Sequence, residues 1–420
     1  MRTLKGNVSA AIAGLMAGAV LLGLCANASA QVMTSDETAG LIVFPKVIVD
    51  TTGVLGTPTD TLIQITNTDL DPSGGAAAVE CNWVNATGQC GVRAGGSCPN
   101  SGIFCDTNAD CAALGLECIP CWSETDFGMV LTPGQPIAFR ASTGLDLPCF
   151  GVVLPPGCLS PNEGGVSNVP SNPFRGELKC YQVAGFTDAT PTNENDLKGE
   201  ATIISSDGTE LTAAAYNAVG FQATTAGGTS ATGPLCLGVN VAGAALLSDP
   251  CGAGSCAKTY AGCPGVLILD HFFWNAPSPL GVSQVRTNLT LAPCSESLFG
   301  NLGNQTITAA QMLIYNEFEQ RYSTSTRVQC YKDIPLADID TTEGPADDAS
   351  SVFAVGVQGT LSGQTRIRPV EGLEDNVGHG LIGVAQEFYF LPGATGALIE
   401  SAAANLHAQG EREQGDAICR

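Results

Sequence analysis

The stretches LIVFPKVIVD (residues 41–50) and TLIQITN (residues 61–67) decide the fold class of this chain. Both are short, rich in Val, Ile and Thr, and bounded by Gly, Pro, Asn or Asp. Branched side chains suit a half-buried pleated strand, and Gly and Pro mark the turns between strands. A helical period of 3.6 residues is nearly absent from the chain, so the pattern predicts β-structure.

The same kind of stretch recurs to the end of the chain. The clearest further examples are GMVLTPGQPIAFRAS (128–142), ELKCYQVAGF (177–186), ATIISS (201–206), GVLILDHFFW (265–274), TNLTLAP (287–293), QMLIYNEFEQRYSTS (311–325), SVFAVGVQGTLSG (351–363) and LIGVAQEFYFL (381–391). With 51 glycines and 24 prolines between such stretches, the sequence predicts an all-β, disulfide-stabilised fold. We expect two tandem β-sandwich domains, Ig-like or jelly-roll-like.

The two halves of the chain carry their strand-like stretches in the same order. GLIVFP at Gly40 corresponds to GVLILD at Gly265, and the later correspondences are as follows: TLIQITNTD (61–69) with TNLTLAPCS (287–295), VECNWVN (79–85) with LIYNEFE (313–319), GELKCYQV (176–183) with GLIGVAQEF (380–388), and AAYNAVGFQA (214–223) with SAAANLHAQG (401–410). Asn217 and Asn405 occupy similar places in the last pair. The order suggests an internal duplication, with two unrelated sandwiches as the alternative.

The predicted domains are a signal peptide at residues 1–30, a first β-sandwich at 31–225, a cysteine- and glycine-rich linker at 226–263 and a second β-sandwich at 264–420. The first half is longer because of a cysteine-rich insertion at about 91–121 and a Pro/Gly/Ser-rich loop at about 150–175. Loops of the second kind usually lie on the surface.

The N-terminus has the three parts of an export signal. Arg2 and Lys5 precede the apolar stretch AAIAGLMAGAVLLGL (10–24), and Ala28-x-Ala30 provides small residues for cleavage before Gln31. The apolar stretch is short for a membrane span, so we expect no transmembrane segment after cleavage. Cys25 would suit a lipid anchor, but Leu24 stands where such sites carry a small residue. The expected location is extracytoplasmic: secreted, periplasmic or at the cell surface.

The charge of the chain excludes some partners. The formal net charge is −23, and so acidic a chain is repelled by nucleic acid and by anionic membrane surfaces. We therefore expect no nucleic-acid partner. The expected partners are other surface proteins or extracellular polymers.

The 18 cysteines indicate an oxidising compartment in which disulfides persist. Close spacing of Cys81 with Cys90, of Cys149 with Cys158, and among Cys251, Cys256 and Cys263 suggests short loops closed by disulfides. The remaining predicted structural cysteines are those of the insertion, Cys98, Cys105, Cys111, Cys118 and Cys121. Connectivity is not set by the sequence, and Cys419 is one candidate for a thiol left over from pairing.

The insertion SCPNSGIFCDTNADCAALGLECIPC (97–121) has few apolar residues and therefore needs covalent crosslinks to hold a fold. Calcium binding is the alternative, since four oxygen-bearing residues follow EF-hand spacing: Asp106, Asn108, Asp110 and Glu117. Cys111 stands where the EF-hand requires Gly, and cysteines replace the flanking helices. A disulfide-tied polar turn is the preferred interpretation, and no other cofactor is expected.

Other motifs point away from catalysis. CIPC (118–121) lacks the βαβ context of a redox site and the second pair of a zinc site. His271, His379 and His407 follow no metal-ligand spacing, and no Gly-x-Ser-x-Gly nucleophile motif occurs. Trp83 and Trp274 lie in strand-like stretches and suit a core, whereas Trp122 follows the insertion.

Several stretches of this chain resemble stretches of a group of exported bacterial β-sandwich proteins that has no established activity. The stretches are TLIQITNTD, CNWVNATG, TDFGMVLTPGQPIAFRASTGL, FRGELKCYQV and NDLKGEATI, in which an L-T-P-x-Q-P turn and a G-x-L-x-C strand recur. The insertion is similar to small cysteine-rich modules with a C…DADC core. The resemblance implies export and a β-sandwich, and it supplies no catalytic residues.

The sequence therefore predicts a secreted or cell-surface structural or interaction protein that is not an enzyme. A calcium- or carbohydrate-binding module is the alternative, with the ligand at residues 97–122. A metal-dependent hydrolase using His271, His379 or His407 is the weakest alternative.

Overall fold

The structure is a computed structural model. It describes residues 33–54, 56–71, 75–92, 103–105, 111–120, 123–144, 166–185, 187–206, 211–224, 232–238, 256–277, 284–298, 307–339, 351–370, 379–391, 398–412 and 415–420. The predicted signal peptide and most of the predicted surface loop at 150–175 lie outside these ranges. From Met33 to the C-terminus the chain forms one compact unit.

Strands dominate the part of the chain before residue 225, as predicted. They are β1 (Met33–Thr34), β2 (Leu41–Val49), β3 (Thr59–Asn67), β4 (Ala77–Asn85), β5 (Gly88–Gly91), β6 (Phe104–Cys105), β7 (Glu117–Pro120), β8 (Ser123–Leu131), β9 (Pro136–Arg140), β10 (Phe174–Gly185), β11 (Asp188–Pro191), β12 (Leu197–Ser206), β13 (Leu211–Asn217) and β14 (Val219–Phe221). A 3₁₀ turn covers Ala112–Leu114.

Strands also dominate the rest of the chain. They are β15 (Leu235–Leu237), β16 (Lys258–Tyr260), β17 (Pro264–Phe272), β18 (Ala276–Pro277), β19 (Gln284–Pro293), β20 (Glu296–Ser297), β21 (Ile307–Asn316), β22 (Arg321–Gln329), β23 (Lys332–Pro335), β24 (Ser362–Val370), β25 (Leu381–Phe390), β26 (Leu398–Asn405), β27 (His407–Glu411) and β28 (Asp416–Cys419). A 3₁₀ turn covers Leu336–Ile339, and one short helix, α1, covers Val355–Gln358.

In the first half, two sheets pack face to face. Sheet I has the order β1-β14-β2-β10-β4-β8, with β11 beside β10, and sheet II has the order β13-β12-β3-β9. The residues between them are apolar and buried, with Trp83 at 0 % exposure among Phe127, Phe139 and Phe174. Alternation along the strands places these side chains on the inner face, which is why the patterned stretches form this core.

In the second half, two more sheets pack face to face. Sheet III has the order β22-β21-β24-β17-β27, and sheet IV has the order β18-β19-β25-β26, with β23 also beside β19. Their shared core includes Leu269, Met312, Ile314, Leu289 and Leu381. The all-β, disulfide-stabilised fold predicted from the sequence is confirmed.

The two pairs of sheets follow the same strand order. The order β14-β2-β10-β4-β8 in sheet I corresponds to β27-β17-β24-β21-β22 in sheet III. The order β13-β12-β3-β9 in sheet II corresponds to β26-β25-β19-β23 in sheet IV. The structural counterpart of β10 is thus β24, whereas the sequence correspondence paired GELKCYQV with the β25 stretch. At the ends of β13 and β26, the Asn405 side-chain amide donates to the Asn217 carbonyl oxygen at 2.7 Å.

A fifth sheet joins the two halves. Sheet V has the order β16-β15-β28-β20 and so combines the predicted linker with the C-terminus. Its apolar residues Leu235, Tyr260 and Ile418 share one buried cluster with Leu41 and Phe221 of sheet I. The outer face of sheet I is therefore covered by the second half of the chain. Whether each half is an independent domain with the predicted boundaries stays a prediction.

One predicted strand was wrong in part. SVFAVGVQGTLSG forms a turn and α1 before β24 begins at Ser362. Gly359, at φ 68°, ends the helix in a left-handed conformation that suits glycine. Phe353 is fully buried, so the apolar pattern came from packing and not from strand alternation.

Candidate functional site

The cysteine-rich insertion forms a small sheet of its own, which we call the insert (residues 88–120). Its strand order is β6-β5-β7, and the disulfides Cys90–Cys111 and Cys105–Cys118 crosslink it. Three buried cysteines of the insert, Cys90, Cys105 and Cys111, form a cluster separate from the cores between the large sheets. The disulfides thus replace a hydrophobic core, as the sequence predicted.

The insert is displayed at the end of a hairpin. Asn85 at the end of β4 pairs directly with Ser123 at the start of β8, so the chain leaves and re-enters sheet I at adjacent points. Three large apolar side chains of the insert are exposed: Val92 at 74 %, Ile103 at 44 % and Leu114 at 51 %. These three side chains make the insert a candidate interaction surface.

The predicted calcium residues are only partly described. Glu117 lies on β7 with an exposed side chain, while Asp106, Asn108 and Asp110 lie outside the described residues. The cysteines at both ends of CDTNADC are tied to different strands, Cys105 to Cys118 and Cys111 to Cys90. A disulfide-tied turn therefore has direct support at its ends, and calcium binding stays a prediction.

Other disulfides differ from the expected short loops. Cys81 does not pair with Cys90 but with Cys180, directly opposite it on β10. Further along, Cys256 bonds to Cys236 and Cys263 to Cys294, both partners outside the predicted short loop. Adjacent strands place distant residues side by side, and sequence spacing does not reveal that. Predicted cysteines outside the described residues are Cys98, Cys121, Cys149, Cys158 and Cys251.

The sequence offered Cys419 as one candidate for the thiol left over from pairing, and that candidate is wrong. Cys419 is in a disulfide, and among the described cysteines the one that keeps a thiol is Cys330, which is buried. The groups of described residues close enough to hold a metal are Cys90, Cys105 and Cys111, and Cys263, Cys294 and Asp416. Their sulfurs are in disulfides, so they are not available as thiolate ligands.

The three histidines occupy different settings. His271 is buried, with Nε2 2.8 Å from the Thr365 hydroxyl and Nδ1 3.2 Å from the Phe272 carbonyl oxygen. Burial lowers the pKa of His271 to about 4, which keeps the ring neutral. His379 is also buried, and burial lowers its pKa although Asp416 opposes the shift. His407 is exposed on β27, so the three do not share one environment.

The tryptophans that the sequence assigned to the core are buried. Trp83 donates from Nε1 to the Ser167 carbonyl oxygen at 3.0 Å. Trp274 is 7 % exposed, and the Arg286 guanidinium lies 5.3 Å from its ring. Trp122 lies outside the described residues.

A buried ionic cluster joins the halves. Lys179 Nζ on β10 lies 2.7 Å from Glu177 Oε2 and also contacts Glu296 Oε2 on β20. All three side chains are at most 2 % exposed. Two carboxylates share one ammonium group, so desolvation and mutual repulsion are only partly offset. Burial, opposed by Lys179 and aided by Glu296, raises the pKa of Glu177 to about 8.

Glu124 extends the acidic part of this cluster. Burial, and then the charges of Asp126, Glu296 and Glu80, raise the pKa of Glu124 to about 7. Sequence inspection missed these residues because Glu177 and Lys179 sit in the strand ELKCYQV like ordinary surface charges. Only the covering second half of the chain buries them.

A polar cleft also lies between the halves, and its geometry is the best developed among the described residues. Lys46 on β2 is fully buried, and its Nζ donates to Asp333 Oδ1 at 2.8 Å and to Thr290 Oγ1 at 3.1 Å. Burial opposes the ionisation of Asp333, but the charges of Lys46 and Arg175 lower its pKa below the usual value. Asp333 also accepts from the Thr290 hydroxyl at 2.8 Å, which holds the floor of the cleft in place.

Residues from both halves line this cleft, whose volume is about 170 Å³. The lining residues are Lys46, Ile48, Asp50, Thr57, Thr59, Arg175, Ile203, Ser205, Asn288, Asp333, Gln386, Phe388 and Leu398. The first eight come from the first half and the others from sheet IV and β23. None was predicted from the sequence, since the pairs that form the site are far apart along the chain.

A second, more open pocket of about 570 Å³ lies on the second half. It carries three acidic side chains, and each accepts a hydrogen bond from a neighbour. Asp270 accepts from Gln364 at 3.0 Å, Glu317 from the Ser362 hydroxyl at 2.7 Å, and Glu387 from the Tyr389 hydroxyl at 2.8 Å. Each carboxylate of this pocket is therefore already hydrogen-bonded within the protein.

The fold and these sites define a disulfide-stabilised all-β protein with one crosslinked insert and an interior cleft. In comparisons with known proteins, no family model and no curated protein matches the chain. The described part of the chain contains no helix that is both long and apolar enough to span a membrane.

Proposed function

We propose that this chain is an exported structural or interaction protein, without catalytic activity, that presents the insert to a partner outside the cytoplasm. The disulfides fit an oxidising compartment, and the signal-like N-terminus supports export. The sequence resemblance to exported β-sandwich proteins points the same way. The partner is another surface protein or an extracellular polymer that offers an apolar contact.

One observation carries the proposal: the insert contributes no described residue to the apolar cores of the large sheets. Its buried cluster is separate from the cores, and the corresponding hairpin of the second half closes with a short turn between Asn316 and Arg321. In that turn the Asn316 side-chain oxygen accepts from the backbone N–H groups of Phe318 and Gln320. Four residues are enough to close the hairpin in the second half, whereas the first half carries a crosslinked module at the same place. Recognition of a partner best explains this larger connection.

We also propose that the two halves arose by internal duplication. The shared strand order supports this, as does the contact of Asn217 with Asn405 at corresponding places. Superposing β2–β14 on β17–β27 should overlay strands in the same direction and core-facing residues on core-facing residues. Overlap of only two or three strands would favour unrelated sandwiches.

The proposed role is tested on the exposed apolar side chains. We expect the variant Val92→Ser, Ile103→Ser, Leu114→Ser to lose binding to cell envelopes of the producing organism by about tenfold or more, because apolar contacts carry such interfaces. Fluorescently labelled protein and sedimentation of the envelopes measure this. The matched control is Leu70→Ser with Leu211→Ser, which removes apolar side chains that are 80 % and 71 % exposed elsewhere. Equal binding by both variants would exclude the insert as the recognition element.

A further inference from the structure

The cleft between the halves contains a buried hydrogen-bonding atom that the protein leaves unused. Gln386 on β25 is only 2 % exposed and lines the cleft. Its side-chain oxygen makes no hydrogen bond within the protein. Leaving a buried acceptor without a partner costs about 1–3 kcal/mol, so this position favours an occupant that donates a hydrogen bond.

The opposite side of the cleft offers donors. The Lys46 ammonium has three N–H groups, and two are directed to Asp333 and Thr290. Those two bonds fix the position of the Lys46 nitrogen at the cleft floor. The Thr59 hydroxyl donates to the Thr57 carbonyl oxygen at 2.8 Å and accepts from the Ser205 hydroxyl at 2.9 Å, so these two side chains offer acceptor oxygens to an occupant. The occupant must therefore both donate and accept.

Charge balance argues for a neutral occupant. The lining contains two basic side chains, Lys46 and Arg175, and two acidic ones, Asp50 and Asp333. Asp50 is already engaged by the Val54 backbone N–H at 2.9 Å. Neither an anion nor a cation gains from a site whose charges cancel, and a hydroxyl group meets both hydrogen-bonding needs without charge.

The volume of the cleft and its apolar wall restrict the chemical class of the occupant further. A volume of about 170 Å³ corresponds to about six water volumes, so the site takes one small group and not a long chain. Half-buried Phe388 lines the cleft, and Phe390 lies 6.4 Å from it, ring centre to ring centre. An aromatic face beside polar groups suits the mixed surface of a sugar ring, which has C–H groups on its face and hydroxyls at its rim.

We propose that the cleft between the halves binds a neutral polyhydroxylated ring, the size of one monosaccharide unit, through Gln386, Lys46 and the face of Phe388. This site is distinct from the insert and does not depend on the proposed role of the insert. In this proposal the ligand binds between the two halves of the chain and contacts residues of both.

The test uses the full mature chain and a panel of free monosaccharides and their methyl glycosides at millimolar concentrations, measured by saturation-transfer NMR. We expect at least one neutral sugar to bind the wild type, and Gln386→Met to weaken that binding by about tenfold, because one hydrogen bond is lost without loss of volume. The matched control, Gln311→Met, changes an exposed residue of β21 and should leave binding unchanged.

A second variant keeps the proposal testable if Gln386→Met does not fold. Phe388→Leu preserves apolar bulk at a half-buried position but removes the flat ring, and it should also weaken binding. Absence of binding by any neutral sugar to the wild type would mean that ordered water fills the cleft, and the proposal would be wrong. Equal affinity in Gln386→Met, or binding of acidic sugars alone, would also overturn it.

Discussion

At the scale of single residues, buried charges are the unexpected feature of this protein. Lys46 with Asp333, and Lys179 with Glu177 and Glu296, all lie at the boundary of the two halves. Burying an ion costs several kcal/mol unless it is well paired. Such pairs therefore add little net stability, but they disfavour any arrangement of the halves that would leave one charge alone.

Glu177 should make stability depend on pH. Its pKa is raised to about 8 in the folded protein, against 4.5 for an ordinary glutamate carboxyl. Between these values the folded state keeps a proton that the unfolded state has lost, so the free energy of unfolding falls as pH rises, by at most about 1.4 kcal/mol per pH unit from this group. The stabilisation from this group is fully present at pH values below the pKa of the unfolded state. It is lost as the pH rises to the pKa of the folded state.

The variant Glu177→Gln should remove this slope. Urea unfolding at about pH 5 and about pH 8 measures this slope. As the pH rises, the free energy of unfolding of the variant should increase relative to that of the wild type. Glu200→Gln, an exposed position on β12, is the control and should follow the wild type. A slope in Glu177→Gln equal to that of the wild type would show that Glu177 does not hold its proton in the fold.

At the scale of elements, the insert and the large sheets should respond separately to loss of a disulfide. Cys105–Cys118 encloses a short segment, with a sequence separation of 13, and crosslinks the insert alone. Cys81–Cys180 joins neighbouring strands of sheet I with a separation of 99. The two bonds are similar chemically and differ in what they restrain.

Replacing Cys105 and Cys118 with Ser should raise amide hydrogen exchange in β5–β7 and leave sheet I protected, because the insert has its own cluster. Replacing Cys81 and Cys180 with Ala should lower the free energy of global unfolding by about 3–5 kcal/mol. Hydrogen exchange by mass spectrometry compares both variants with wild type. Loss of protection throughout sheet I in the first variant would contradict a separate insert.

The sequence predicted elements well where one face of a strand is buried. β2, β3, β17, β19 and β25 lie in stretches identified by composition and alternation. The pattern failed at Val355–Gln358, where apolar residues belong to a helical turn. It also gave no sign of the cleft, because Lys46 and Asp333 are 287 residues apart and each resembles an ordinary surface charge along the chain.

At the scale of the whole molecule, the halves are joined by more than a linker. Sheet V combines β15 and β16 with β28 and β20, and one apolar cluster extends from Leu41 to Ile418. A shared core couples the unfolding of the parts that it joins.

Calorimetry should therefore record a single main unfolding transition for residues 31–420, with a van't Hoff enthalpy close to the calorimetric enthalpy. Removal of the insert should not divide the transition, since the insert lies apart from the shared cluster. Two well-separated transitions of similar enthalpy would instead indicate two independent domains connected by a linker.

The most direct test of the central claim removes the insert and measures binding. Gly88 and Pro120 are paired directly, so joining them with Asn-Gly, which favours a two-residue hairpin turn, closes the hairpin. Cys121→Ser removes the cysteine next to the new turn. We expect the shortened chain to keep its main thermal transition and to lose binding to envelopes of the producing organism. Binding equal to that of the intact chain would contradict the account.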